Sequence, residues 1–224
     1  RRVIIGDVTP QDSGGRFPAK RVVGEPVVVE ADVLTDGHDR VAAVVRHRPV
    51  GATGWTDVPM VPLGNDRFAA TFTVAEVGHH EFTVEGWVDR FVTWRSDLVK
   101  RLAADTATDV DLEIGADLLD EIAADPLDPD AATGAALAEA AEVLRDRDRP
   151  TADRADAALD EDLAALVVQA DPRRHSTTLA SPLPLWVDRP KARYSTWYEL
   201  FPRSASLDPG RHGTLRDVEG WLPY

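Results

Sequence analysis

The sequence predicts a mixed fold in three consecutive parts: a small antiparallel β-sandwich, a helical bundle, and a tail that opens a parallel βα unit. Three observations carry this. Apolar residues alternate with polar ones from Val3 to about Val88, the period lengthens to 3.6 near Trp94, and from Pro182 the chain turns apolar and extended again. A period of two places every second side chain on one face of a strand, whereas 3.6 lines up one stripe of a helix.

In the first part Val27, Val29, Ala31 and Val33 share a face, with Glu30 and Asp32 on the other. Asp36-Gly37 then supplies the positive φ of a tight hairpin turn, and Val41, Ala43 and Val45 continue the apolar face with Arg46 and Arg48 outward. Gly64-Asn65 marks a second hairpin between the run ending at Val61 and the strand of Phe68, Ala70, Phe72 and Val74. Phe82, Val84 and Val88 set the next face, which gives about six short strands. Gly51 to Gly54 and the prolines at 49, 59 and 62 fall to loops or sheet edges, because proline cannot donate to a ladder.

The helical part shows stripes at Ile114, Leu118 and Ile122, at Leu137, Ala141 and Leu144, and at Ala155, Leu159, Leu163, Leu166, Val167 and Ala170, so three or four helices are expected. Asp128 before Pro129 and Thr151 after Pro150 are the expected N-caps, with Asp130 and Asp153 in the first turns, where a carboxylate meets the positive end of the helix dipole. Pro126 and Pro172 end the helices before them. In the tail, Thr214 and Asp217 form a capping box ahead of Leu215, Val218 and Leu222. The strand of such a unit needs neighbours on both sides.

Charge and composition exclude several classes of function. The 224 residues carry a formal charge of −14, yet Ala103 to Asp171 alone holds 20 acids against four arginines, a local −16 that leaves the remainder at +2. The acidic segment repels phosphate backbones, and the rest has no basic excess to release counterions, so nucleic acid is not an expected partner. With no cysteine, disulfides, thiolate metal sites and thiol redox chemistry are excluded. No apolar run reaches the length of a membrane span, and RRVIIGDVTP has no signal-peptide pattern, so a cytoplasmic location is expected. The one methionine is Met60, so both ends read as cut.

Each candidate site has a structural reading beside the chemical one. His79 and His80 point to opposite faces of a strand and cannot chelate one ion together; they read as turn and sheet-surface histidines. Trp55, Trp87 and Trp94 could stack on sugar rings, but core packing explains them as well: Trp87 is either exposed or covered by helices, and Trp94 brackets the sheet-to-helix junction. Asp117 with Asp120 or Glu121, at helical neighbour spacing, reads as a solvated acidic face. Phosphate-loop, dinucleotide and nucleophile-elbow motifs are absent, and Ser204 in FPRSAS has no elbow around it. The reading of the residues gives no catalytic, cofactor-binding or metal-binding residue and no cofactor.

"PLWVDRPKARYSTWYELFPRS" followed by "HGTLRDVEGWLPY" resembles the junction at which bacterial alpha-1,4-glucan:maltose-1-phosphate maltosyltransferases pass into an α-amylase-type (β/α)8 barrel. "RFPAKRVVGEPVVVEADVLTDGHD" and "GHHEFTVEGWVDRFVTWRSDL" are similar to the same family's amino-terminal sandwich with its inserted bundle. The resemblance implies an Ig-like sandwich over residues 1–92 completed by 182–190, a bundle over 93–181, and the truncated first strand (WYELFPRS) and helix of a catalytic barrel over 191–224. It also implies transfer of maltosyl units from maltose 1-phosphate to α-1,4-glucans with retention, by an aspartate nucleophile and a glutamate acid and base that lie beyond Tyr224. The residues present would then act as scaffold and homodimer contact, inactive alone, with both substrates bound by the barrel. Two other readings remain open: a freestanding carbohydrate-binding sandwich for α-glucan, and a protein-interaction module acting through the acidic bundle.

Overall fold

The computed structural model describes residues 3–127, 130–194 and 199–223. The chain divides into two compact units, Arg1–Asp188 and Arg189–Tyr224.

The described residues of the first unit form two β-sheets, five α-helices and a 3-10 turn at Ser13–Gly15. One sheet joins β1 (Val3–Thr9), β3 (Pro26–Thr35), β7 (Arg67–Thr73) and β6 (Val61–Gly64) in that order. The other runs β2 (Ala19–Val22), β10 (Leu183–Asp188), β8 (Gly78–Val88), β4 (Val41–Pro49) and β5 (Thr56–Pro59), with β9 (Thr177–Thr178) also paired to β8. Pairing is antiparallel except between β10 and β2. The sheets close on one apolar core in which Val27, Val29 and Val33 of β3 meet Val45, Phe82, Val84 and Val187 of the other sheet, all fully buried. The period-two pattern therefore survives intact, with Glu30 and Asp32 less buried than their apolar neighbours.

Two expectations about this part are corrected. Over Val3–Val88 the described residues hold eight strands, not about six, because β2, β5 and β6 are only four residues long and offer too few positions for alternation to register. The Asp36-Gly37 turn is not a hairpin: β3 and β4 lie in different sheets, so the turn, with Gly37 at φ 97, carries the chain from one sheet to the other. A local Asp-Gly signal encodes a reversal, not which strand becomes the partner. By contrast, Gly64-Asn65 does join paired strands, β6 and β7, with Gly64, Asn65 and Asp66 all at positive φ.

Between β8 and β9 the chain forms α1 (Arg90–Ala103), α2 (Asp109–Ala124), α3 (Ala131–Arg145), α4 (Thr151–Ala158) and α5 (Glu161–Ala170). Their core is separate from that of the sheets: Phe91, Trp94 and Leu98 of α1 pack with Leu112, Ala116 and Leu119 of α2, Leu137, Ala141 and Leu144 of α3, and Leu163 and Val167 of α5. The expected stripe through Leu118 and Ile122 is buried, but Ile114 is 48% exposed; Leu112 and Leu119 take the inner positions. The long stripe from Ala155 to Ala170 is two helices, broken at Leu159, because Asp160 caps α5 by accepting from the Asp162 and Leu163 amides. Asp130 caps α3. Asp128 lies outside the described residues. Pro150, not Thr151, occupies the cap position of α4.

In the second unit the chain forms two 3-10 turns (Pro190–Arg193 and Pro202–Ser204) and the short α6 (Leu215–Glu219). Asp217 completes the expected capping box with Thr214 and pairs with Arg211, which together hold its carboxyl well below the usual range. Ala205 is its one buried residue among those described, with the Trp221 indole donating to its carbonyl at 3.1 Å. Trp197 and Tyr198 of the expected barrel strand lie outside the described residues, and from Glu199 onward the described residues form no strand.

The bundle depends on one close approach. The Trp94 indole donates to the Asp111 carbonyl at 2.7 Å and lies across Gly115, where an added Cβ would sit 2.0 Å from the ring. Gly115→Ala is therefore expected to cost about 2–3 kcal/mol through overpacking. Gly134→Ala, in α3 with its nearest non-local atom at 3.7 Å, should instead be neutral or stabilising by about 0.5–1 kcal/mol. Denaturant unfolding of the two variants checks both signs; equal effects would contradict the packing.

Candidate functional site

The strongest concentration of polar side chains lies on the outer face of the second sheet. Because Phe82 and Val84 point into the core, their strand neighbours Glu81, Thr83, Glu85 and Trp87 point away from it, and the same alternation sends Arg46 and Arg48 outward from β4. The segment leaving α5 crosses this face. Arg173, at φ 51, sets its guanidinium 5.0 Å from the Trp87 ring and pairs with Asp57 and Glu85. Arg46 reaches the same two acids at 2.9 and 3.3 Å, and Ser176 donates to Glu85 at 2.6 Å. All four carboxylate oxygens of Asp57 and Glu85 are thus occupied by donors from within the chain. With every oxygen already accepting from an arginine or from Ser176, the two carboxylates are committed within the chain, and the cluster clasps the return segment to the sheet.

The three tryptophans have different fates. Trp87 is buried by the same return segment, its indole donating to Asp171 Oδ2 at 3.0 Å, which settles the choice between exposed and covered. Trp94 is buried in the bundle core, inside α1. Neither face is open to a sugar ring. Trp55 stays partly exposed, but Arg48 lies against it at 4.0 Å while bonded to Glu81 and the Ala52 carbonyl.

The histidines divide as the strand geometry requires. His79 is exposed, its ring edge-on to Trp186 at 4.5 Å, but His80 is not the surface histidine expected: it points inward, is buried, and bonds the Glu76 carbonyl at 3.1 Å. His47 stacks on Phe72 at 4.0 Å; burial, and then the neighbouring His80, push its imidazole below the ordinary range. Among the described residues no group of three or more His, Asp or Glu could hold a metal ion.

On the bundle, the acids at 117, 120 and 121 are exposed, as the expected solvated acidic face requires, and each also pairs with an arginine. Arg145, from α3, reaches Glu113 at 2.9 Å and both Asp117 and Asp120 at 2.6 Å, while Arg90 pairs with Glu121. Helical spacing shows that the acids are neighbours but not that a basic residue 25 or more positions later lies opposite. A cleft of about 360 Å³ between α1 and α2 contains Asp97 and Asp111, but these pair with Lys100 and Arg101. Ser204 sits exposed in its 3-10 turn. No described helix is long and apolar enough to cross a membrane.

Since Arg173, itself largely buried, shares Asp57 and Glu85 with Arg46 at a mostly desolvated cluster, Arg173→Ala is expected to cost about 3 kcal/mol. Arg48→Ala, at a more exposed pair, should cost about 1 kcal/mol or less. Urea titration of both variants tests the ranking, and a larger loss for Arg48→Ala would contradict it.

The family model described as alpha-1,4-glucan:maltose-1-phosphate maltosyltransferase, domain N/S, matches residues 1–189. Among curated proteins, the alpha-1,4-glucan:maltose-1-phosphate maltosyltransferase of Chlorobaculum tepidum is 44% identical over all of this chain and 32% of its own length. That of Myxococcus xanthus is 42% identical over 99% of the chain and 34% of its length, and maltosyltransferase 1 of Streptomyces coelicolor 41% over 99% and 33%. The chain spans about one third of the length of the relatives it matches. On the match over residues 1–189, it belongs to the alpha-1,4-glucan:maltose-1-phosphate maltosyltransferase domain N/S family.

Proposed function

We propose that this chain is the amino-terminal scaffold and dimerisation region of a cytoplasmic maltosyltransferase of the α-amylase type, which moves maltosyl units from maltose 1-phosphate to α-1,4-glucans with retention. The supporting observation is that the whole chain aligns with only a third of each such enzyme, at 40% identity or more for the relatives above. In this reading the two sheets are an Ig-like sandwich and the five helices its inserted bundle, while residues 191–224 lead into the catalytic barrel. In the second unit Phe201, Leu207 and Leu222 are 71%, 89% and 77% exposed, apolar side chains that the barrel would cover in this reading. The nucleophile and acid–base carboxylates belong to the barrel, so the 224 residues orient the enzyme and pair its subunits without reacting.

Phosphate release from maltose 1-phosphate, with maltoheptaose as acceptor, tests this. Residues 1–224 are expected to release none above background, and the same residues joined to the remainder of the reading frame are expected to be active. Turnover by the 224-residue chain, or a reading frame that does not continue into further βα units, would overturn the proposal. Light scattering of the 224-residue chain at increasing concentration is expected to show dimer; a strict monomer would remove the dimerisation role.

A further inference from the structure

A cleft of about 630 Å³, a volume typical of small-molecule sites, lies between α1 and the β6–β7 hairpin, beside the turn into β4. One wall is a stripe of α1. Val92, Ser96 and Val99 stand at i, i+4 and i+7, on a different side of the helix from the buried Phe91, Trp94 and Leu98. Val92 and Val99 are 40% and 48% exposed, so this wall is apolar and open. Pro62 and Phe68 face it from the hairpin, with Asn65 and Asp66 at the tip.

Both walls are fixed by the fold. The Asp66 carbonyl accepts from the Val33 amide at 2.8 Å, and Asn65 and Asp66 hold left-handed conformations at φ 48 and 60. Across the cleft, the Arg40 amide donates to the Thr93 hydroxyl at 2.8 Å, and its carbonyl accepts from the Asp89 amide at 2.8 Å. A ligand entering here does not have to order the backbone around it, which lowers the cost of binding.

The polar groups of the cleft are of two kinds. Arg67 pairs with Asp7, Glu30 and Asp32, and Arg95 bonds the Leu159 carbonyl and Glu161, so both guanidiniums are committed within the chain. The side chains of Arg40, Asn65, Asp66 and Ser96 make no hydrogen bond or ion pair among the described residues. A guanidinium only donates, a carboxylate only accepts, and a carboxamide and a hydroxyl do both. Free groups of both kinds beside C–H walls complement a neutral sugar, whose hydroxyls donate and accept and whose ring carbons are apolar. They do not complement a phosphate, which would meet Asp39 and Asp66 and find one uncommitted guanidinium, that of Arg40.

We propose that this cleft is a binding site for a neutral α-1,4-glucan, held by Arg40, Asn65, Asp66 and Ser96 over the valines of α1. The choice of α-1,4-glucan among neutral sugars rests on the maltosyltransferase reading; the preference for a neutral sugar over a phosphorylated one rests on the cleft alone. The one aromatic ring in its walls, Phe68, is 7% exposed, so stacking adds little and the expected Kd is about 1 mM.

The test is an NMR titration of the 224-residue chain with maltoheptaose. The amides of Asn65, Asp66, Val92, Ser96 and Val99 are expected to shift together with one Kd of about 1 mM. Asn65→Gly, which keeps the left-handed turn while removing the carboxamide, and Arg40→Ala should each weaken binding about threefold or more, and Trp55→Ala should leave it unchanged. Inorganic phosphate at the same concentrations should not move these amides. No shift at about ten times that Kd, shifts centred on Trp55 or Trp186, a Kd unaltered in both cleft variants, or an equal response to phosphate would each overturn the site. The titration involves no turnover, so a negative result leaves phosphate release by the longer chain standing, and an inactive longer chain leaves the titration readable.

Discussion

The structure of the first unit depends on β10 returning to lie between β2 and β8. Leu185 and Val187 complete the sandwich core, and their strand supplies the only bridge, among the described strands, by which β2 reaches the rest of its sheet. Ninety-four residues separate the end of β8 from the start of β10. Ordering a loop of that length carries an entropic cost that grows only slowly with length, so it is the local fixing of its two ends, more than its size, that decides whether the strand docks. The helices shorten the problem by folding on a core of their own.

The polar clasp on the outer sheet face fixes the returning end. Arg173 and Ser176 engage Glu85, and Trp87 binds Asp171, so three residues of one return segment are held by two of β8 before β9 and β10 begin pairing. Its ion pairs are worth more as positioning than as stability, since burying charge offsets most of the attraction gained. The bundle side is held differently, by packing: Trp94 against Gly115 joins α1 to α2, and Arg145 ties α3 to the acids of α2. The −16 segment is thus partly neutralised from within, and its acids serve the bundle before they face any partner.

The fold was legible in the sequence wherever a period repeated often enough. Val27 to Val33 and Phe82 to Val84 gave their faces correctly, and so did the stripe of Leu137, Ala141 and Leu144. Elements of four residues or fewer escaped, and a helix break at Leu159 was hidden because the apolar stripe happens to stay in phase across Asp160. The Asp36-Gly37 turn was misjudged for a different reason: turn chemistry is local, whereas the choice of sheet is made by packing. At the site, strand alternation placed His79 and His80 on opposite faces, but nothing in the sequence could pair Arg173 with Asp57 across 116 positions, or Trp87 with Asp171 across 84. A positive-φ arginine beside a buried strand tryptophan leaves no spacing signature.

Native-state hydrogen exchange of β10 tests the central claim most directly. If the return strand closes the sandwich, the amides of Leu185 and Val187 should exchange as slowly as those of Phe82 and Val84 and with the same dependence on denaturant, as members of one cooperative unit. Fast exchange in β10 while β8 and β3 stay protected would show that the sandwich stands without it, and would contradict the account.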